Sequence, residues 1–402
     1  MPEIEPSPRE ASGGDPATRV SFADIAWSFL KLGTISFGGP AAHIALMEDE
    51  FVRRRHWLTH QEFLDRLGAA NLIPGPSSTE MAIYIGYTKR GWPGLVIAGS
   101  CFIIPAAVMV TAIAAAYVRY GQMPRVGGVL YGVKAVVVAV IVQAFWKLAR
   151  SGIKTRWLFA VGVVAAILSA FNVNNLVTLV VSALLAAIPV WWRRLKSNHA
   201  AAFTLLQLGG LGRVRWSLVL GPLLAAAAKP FTFWRLFLTF LKIGSVLFGS
   251  GYVLLAFLRA DFVVRLHWLT EQQLLDSVAV GQVTPGPVFT TATFIGYILG
   301  GVPGAAISTV AIFLPGFLLV AASGRLIPRI RSSAFAGAML DGVIVASLAL
   351  IGVVAWQLGR ATLLDPLAYT IALASIVLLL WKRVNPVWLI VAAAIAGMFH
   401  PV

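Results

Sequence analysis

Pro74-Gly75-Pro76-Ser77-Ser78-Thr79-Glu80 combines residue types that can bind an anion. A Pro-Gly-Pro break followed by small hydroxylated residues reads as a helix N-terminus. Free amides and the positive end of the helix dipole then face the break, which makes an anion site out of backbone. The pattern occurs twice, because Pro285-Gly286-Pro287-Val288-Phe289-Thr290-Thr291 repeats the break with two threonines. Two further breaks, Phe37-Gly38-Gly39-Pro40 and Phe248-Gly249-Ser250-Gly251, let a ligand or another backbone approach closely. The plainer readings are a kink with a serine cap for the first pair and small-residue helix packing for the second.

Few charged residues stand near these breaks. Lys31 and Lys242 hold equivalent places, about two turns before the glycine breaks. A lysine in an apolar helix costs at least ~2.5–3.5 kcal/mol on insertion scales, so it faces a protein interior or cavity, or snorkels to an interface. A pair of such cations attracts an oxyanion. Glu80 lies one turn after Pro76, and its counterpart is Thr291, so this carboxylate exists in one half only. It is the first candidate for proton coupling, and Asp341, the other acid in an apolar run, is the second. Lys134 is a weaker candidate, with Ile344 as its counterpart, and His43 follows the first break. No metal-ligand spacing, P-loop, or nucleophile with a base stands out. No catalytic residue, metal or cofactor is therefore expected.

The breaks belong to a duplication. Phe37 and Phe248, Pro74 and Pro285, and His56-Trp57-Leu58-Thr59 and His267-Trp268-Leu269-Thr270 are each 211 positions apart. After the second break the spacing falls to 210, as in Gly86 and Gly296, Pro93 and Pro303, or Trp146 and Trp356. The chain is thus an N-terminal tail over residues 1–20, a first repeat over 21–192, a basic linker over 193–232 and a second repeat over 233–402. The acidic, proline-rich tail reads as disordered and lacks the pattern of a signal peptide. The linker holds a short apolar piece, Trp216 to Ala228, of about 20 Å if helical, too short to cross a bilayer unaided. If that piece crosses together with Leu208 to Val214, the repeats are inverted; if it lies on the surface, parallel repeats stay open.

Of the 402 residues 58% are hydrophobic and 12% charged, about half the charge of a soluble domain. That composition excludes a soluble enzyme, a disordered protein and a nucleic-acid-binding domain, and leaves an all-α polytopic membrane protein. We expect about 12–13 hydrophobic segments, with the first two of each repeat broken by Gly and Pro. Interrupted segments at matching places in two halves point to a transporter's binding site. The net charge of +16 belongs mainly to loops that set topology. No Asp or Glu lies between Glu80 and Asp261, which favours an anion over a cation. The single cysteine, Cys101, allows no disulfide within the chain.

Together these segments resemble the chromate ion transporter family, in its long form with two fused domains. The motifs that carry the resemblance are Phe37-Gly38-Gly39-Pro40-Ala41-Ala42-His43-Ile44, Asn71 to Ile83, Gly91-Trp92-Pro93-Gly94 and Val283 to Tyr297. The resemblance implies a multi-pass secondary transporter of the bacterial cytoplasmic membrane. It would export chromate, in exchange for protons, and confer chromate resistance. Sulfate, of the same shape and charge, is the expected competitor. The resemblance also implies oppositely oriented repeats. One departure is that another branch carries Gly-Pro-Glu-Ala-Gln-Gln where this chain has Gly-Pro-Ser-Ser-Thr-Glu, so roles known there do not transfer to Ser77 or Glu80.

The expected substrate site is Phe37, Gly38, Gly39, Pro74, Gly75, Pro76, Ser77, Ser78 and Thr79 with Gly249, Ser250, Pro285, Gly286, Pro287, Thr290 and Thr291. Lys31 and Lys242 would supply charge, and Glu80 and Asp341 protons. The expected partners are chromate or sulfate, protons and the lipid bilayer; a homodimer stays open, and no nucleic acid is expected. Two rivals stand beside proton-coupled export. One is an uptake transporter or passive channel of the same fold for sulfate or a related anion. The other is a membrane enzyme acting on lipids, for which the sequence has few convergent His and acidic residues.

Overall fold

Ser21 accepts a hydrogen bond from the Asp24 amide and starts helix α1 (Phe22–Ile35). Thr232 does the same for the Arg235 amide at α8 (Phe233–Val246). Equivalent caps at equivalent places show the duplication in the backbone. The computed structural model describes residues 20–37, 39–121, 123–171, 173–197, 230–248, 251, 253–382 and 384–399. Gly38, Gly249, Ser250, nearly all of the expected N-terminal tail and most of the expected linker, with its piece Trp216 to Ala228, lie outside the described residues.

In the first repeat α1 is followed by α2 (Pro40–Glu48), which continues as a π-helical turn, Asp49–Arg54. Then come α3 (His60–Ala70), α4 (Ser77–Tyr120), α5 (Pro124–Gly152), α6 (Arg156–Ala170) and α7 (Asn175–Ser197). The second repeat has α8, α9 (Val253–Leu258) with its π turn Arg259–Arg265, and α10 (Glu271–Val283). It goes on with α11 (Thr291–Ser332), α12 (Ala334–Thr362), α13 (Pro366–Val377) and α14 (Pro386–Met398). The chain is an all-helical, two-repeat membrane protein. Five helices among the described residues are long and apolar enough to cross a bilayer.

Helix α1 has 14 residues, about 21 Å, which is less than the ~30 Å core of a bilayer. It stops before the Phe37–Gly39 break and the chain turns back. Phe29 packs on Phe51 with ring centres 4.9 Å apart, and Lys31 reaches Glu50, so α2 and its π turn return alongside α1. Helices α3 and α4 make a second such hairpin around Pro74-Gly75-Pro76. Thr59 and Glu62 form a capping box at the start of α3, and the Thr59 amide holds the Glu62 carboxyl below its usual range. Arg66 on α3 donates to Thr88 on α4.

Helix α4 is itself two limbs, because Arg90 and Gly91 leave helical geometry and Gly91 takes φ +59°. The limbs lie so close that a Cβ on Gly86 or Gly94 would collide with the other's backbone. Gly300 and Gly301 bend α11 in the same way, with Gly296 against Gly304. The second limb of α4 runs beside α1: Arg90 bonds the Val20 carbonyl, and Gly33 meets the Phe102 backbone. Both breaks of the first repeat therefore reach about the middle of that limb.

The repeats interlock. Helix α4 packs along α11, α5 on α13 and α14, and α12 on α6 and α7. Small residues make the crossings: Gly128 meets Gly397, Gly132 meets Ala393, and Gly342 meets Ser182. Trp27, Trp92, Trp146, Trp234, Trp356 and Trp388 are exposed, as expected of residues set toward headgroups.

Candidate functional site

Gly75 and Gly286 stand at φ +132° and +90°, conformations that glycine alone adopts without strain. Those turns aim the two glycine amides across the molecule. Gly75 donates to the Leu247 carbonyl at 2.7 Å, and Gly286 donates to the Ser36 carbonyl at 2.9 Å. Each Pro-Gly-Pro break thus grips the end of the other repeat's first helix. The expected residues Pro74, Gly75, Pro76, Pro285, Gly286 and Pro287 are brought together by this exchange, with Gly39 and Phe37 at the adjoining break.

At the first break, the Thr79 and Glu80 amides turn back onto the Pro76 carbonyl, at 2.7 and 3.3 Å. The Ser77 and Ser78 amides find no acceptor among the described residues, as expected of a helix start. The Thr79 hydroxyl is buried and also has no partner there. Ser78 is committed to His43. The His43 ring lies 3.1 Å from the Ser36 carbonyl through Nε2 and 3.2 Å from the Ser78 hydroxyl through Nδ1. A carbonyl only accepts, so Nε2 carries the proton and Nδ1 accepts from Ser78. His43 therefore ties the two breaks of its repeat together. Its counterpart is Leu254, so this tie exists once.

Glu80 is fully buried, and neither carboxylate oxygen has a hydrogen-bond partner among the described residues. It folds back over the start of its own helix. A Cβ on Gly75 would strike Oε1, and one on Gly316 would lie 3.2 Å from it. The carboxylate thus sits between the tip of the first repeat and α11 of the second. A buried carboxylate without a partner is a functional-site signature in a membrane protein.

Thr290 and Thr291 are buried at the second break, but their hydroxyls donate to the Pro287 and Val288 carbonyls, at 2.8 Å each. They shape the turn. Lys31 and Lys242 do not reach the tips as free cations. Lys31 lies 3.6 Å from Glu50, which also takes Arg55 at 2.7 Å. Lys242 pairs with Asp261, which also takes Arg265 at 3.0 Å. Each acid meets two cations, so each of these three-residue clusters carries one surplus positive charge. Asp341 is partly exposed and paired with Lys154 at 2.8 Å.

Glu50 and Asp261 were not among the expected site residues. Their signal was present, because they share the 211 spacing of the lysines they neutralise. The His43–Ser78 contact had no such signal, since it joins residues 35 positions apart in one repeat only.

The chromate transporter family model matches residues 23–188 and again 234–398. A chromate transport protein of Cupriavidus metallidurans is 32% identical over 92% of this chain and 91% of its own length. A probable chromate transport protein of Synechococcus elongatus is 32% identical over 94% and 95%. An uncharacterised transporter of Methanocaldococcus jannaschii is 26% identical over 94% of each. No solved structure matches. With a family match on each repeat and relatives aligned along nearly their whole length, the chain belongs to the chromate transporter family.

Proposed function

We propose that this protein is a secondary transporter that moves chromate out across the bacterial cytoplasmic membrane in exchange for protons, and so confers chromate resistance. The observation that carries the reading is the pair of crossed breaks, where each Pro-Gly-Pro amide bonds the end of the other repeat's first helix beside one buried carboxylate without a partner among the described residues. Chromate is a tetrahedral dianion. The amides of Ser77 and Ser78 and the Thr79 hydroxyl suit its oxygens, with the first amides of the Val288–Thr290 turn facing from the other repeat. The surplus charges beside Glu50 and Asp261 draw the anion toward each hairpin.

The two repeats are inverted in this reading. Contact registers support it. Gly316 on α11 lies beside Glu80, near the tips, and Ser323, two turns further along, bonds Tyr84 on the first limb of α4. The α4 first limb heads for the Arg90–Gly91 turn, so α11 ends where that turn begins. Inverted repeats with broken helices at mid-depth allow alternating access by rocking one half against the other.

Glu80 couples the cycle. In an exchange cycle the proton and the anion ride alternately, so Glu80 carries a proton through the empty site and has given it up when the anion is loaded. Asp341 keeps no part in this scheme, since an ion pair with Lys154 occupies it. Purified protein in liposomes, loaded with chromate and tested against sulfate, checks the substrate. Chromate flux that sulfate competes for supports the reading. Flux of sulfate without any of chromate supports the sulfate-transporter alternative, and no anion flux removes both.

A further inference from the structure

Outside the tips, one charged cluster is both deeply buried and built from both repeats. Lys134 on α5 lies 2.9 Å from Asp276 on α10, with side chains only 6% and 1% exposed. Tyr117, on the second limb of α4, donates to the other oxygen of Asp276 at 2.8 Å. An ion pair this deep gains little net stability over an apolar pair, yet losing one partner is strongly destabilising. Its value lies in holding a particular arrangement.

The counterpart of this place is different in kind. Asp65 on α3 corresponds to Asp276, and Ile344 on α12 corresponds to Lys134. Helix α10 packs against α5, α12 and α14, and its Leu275 is 3% exposed. Helix α3 packs mainly on α4 and α11, and Leu64, the counterpart of Leu275, is 43% exposed. Asp65 is exposed as well, without an ion pair among the described residues. So one repeat has its second hairpin covered by the helix that crosses beside it, and the other repeat has the same hairpin uncovered. Two copies of one unit in two arrangements are what an inverted-repeat transporter shows when caught in one of its two states.

We propose that the Lys134–Asp276–Tyr117 cluster is a one-sided latch that closes the protein between α5 and α10. In the opposite state the arrangements of the repeats exchange, so α3 closes onto α12 and Asp65 approaches Ile344. Ile344 is uncharged, so that closure lacks a counterpart of the Lys134–Asp276 pair, and the latch biases the resting protein toward the state seen here. The latch rests on the inverted-repeat reading, and the test separates the two.

In a Cys101→Ser background, Asp65→Cys and Ile344→Cys together report the opposite state through a short bifunctional thiol cross-linker. The expected yield is low in the parent and rises at least several-fold when Lys134→Met is added. Tyr117→Phe, which removes one hydroxyl, raises it by less. Exchanging the charges, Lys134→Asp with Asp276→Lys, brings the yield back down and guards against a misfolded single variant. A yield that ignores all of these changes overturns the latch. Orientation is read separately from single cysteines at Trp92→Cys and Val302→Cys, which occupy equivalent exposed turns. Impermeant maleimide should reach them from opposite sides of the membrane. Labelling from the same side overturns the inversion and the latch together. Opposite labelling with an unresponsive cross-link overturns the latch alone.

Discussion

The buried side chains at the tips divide into those that hold the breaks together and those left free to act. His43 belongs to the first group. His43→Leu copies the residue of the second repeat and leaves the buried Ser78 hydroxyl without its partner, while the Ser36 carbonyl keeps only the Gly286 amide. Each unsatisfied buried group costs about 1–3 kcal/mol, so the purified protein should melt at a lower temperature in detergent, while a melting temperature equal to the parent's contradicts the tie. Gly75 is bound more tightly still. Gly75→Ala adds a Cβ at φ +132° that collides with Glu80, so chromate flux should fall by at least tenfold even where protein reaches the membrane. Wild-type flux in that variant would show that the tip geometry is not needed. The residues of the breaks were legible in the sequence, because glycine, proline and hydroxyl runs repeated at one spacing. Their partners were less so: the lysines looked like free cations, and only the fold reveals that Glu50 and Asp261 stand across the hairpin from them.

At the scale of elements, the sequence marked where helices break but not which way the chain goes next. A broken apolar run reads equally as an interrupted span or as a hairpin that turns back. The structure has the second, and the deciding contacts, Phe29 with Phe51 and Arg66 with Thr88, join residues that no short-range pattern links. The capping boxes at Thr59 and Thr270 start the returning hairpins α3 and α10 at the same end of each unit. Thr59→Ala or Thr270→Ala should each lower stability by about 1 kcal/mol, read as a shift in thermal unfolding. Equal stability would mean that packing alone fixes those starts. The limbs of α4 are set by their small residues, and Gly94→Leu should prevent the close crossing with Gly86, read as loss of folded protein in a size-exclusion profile. A normal profile would contradict so close a crossing.

For the molecule as a whole, the duplication was the most readable feature, since the two spacings of 211 and 210 run through both family matches. What could not be read is how the copies are exchanged. Helix α5 of the first repeat lies on α13 and α14 of the second, and α12 of the second lies on α6 and α7 of the first. Small residues at these crossings look alike whichever partner they meet. The same exchange brings each Pro-Gly-Pro amide to the other repeat's helix end and so joins the two breaks into one centre. Glu80 breaks the symmetry of that centre, and the proposed proton coupling rests on it. The direct measurement is chromate flux in liposomes holding only this protein, with and without an imposed proton gradient, for the parent and for Glu80→Gln. Gradient-driven chromate flux in the parent, lost in Glu80→Gln while gradient-free exchange of chromate persists, is the predicted result. Flux that ignores the gradient in the parent, or gradient-driven flux that survives Glu80→Gln unchanged, would contradict proton coupling through Glu80.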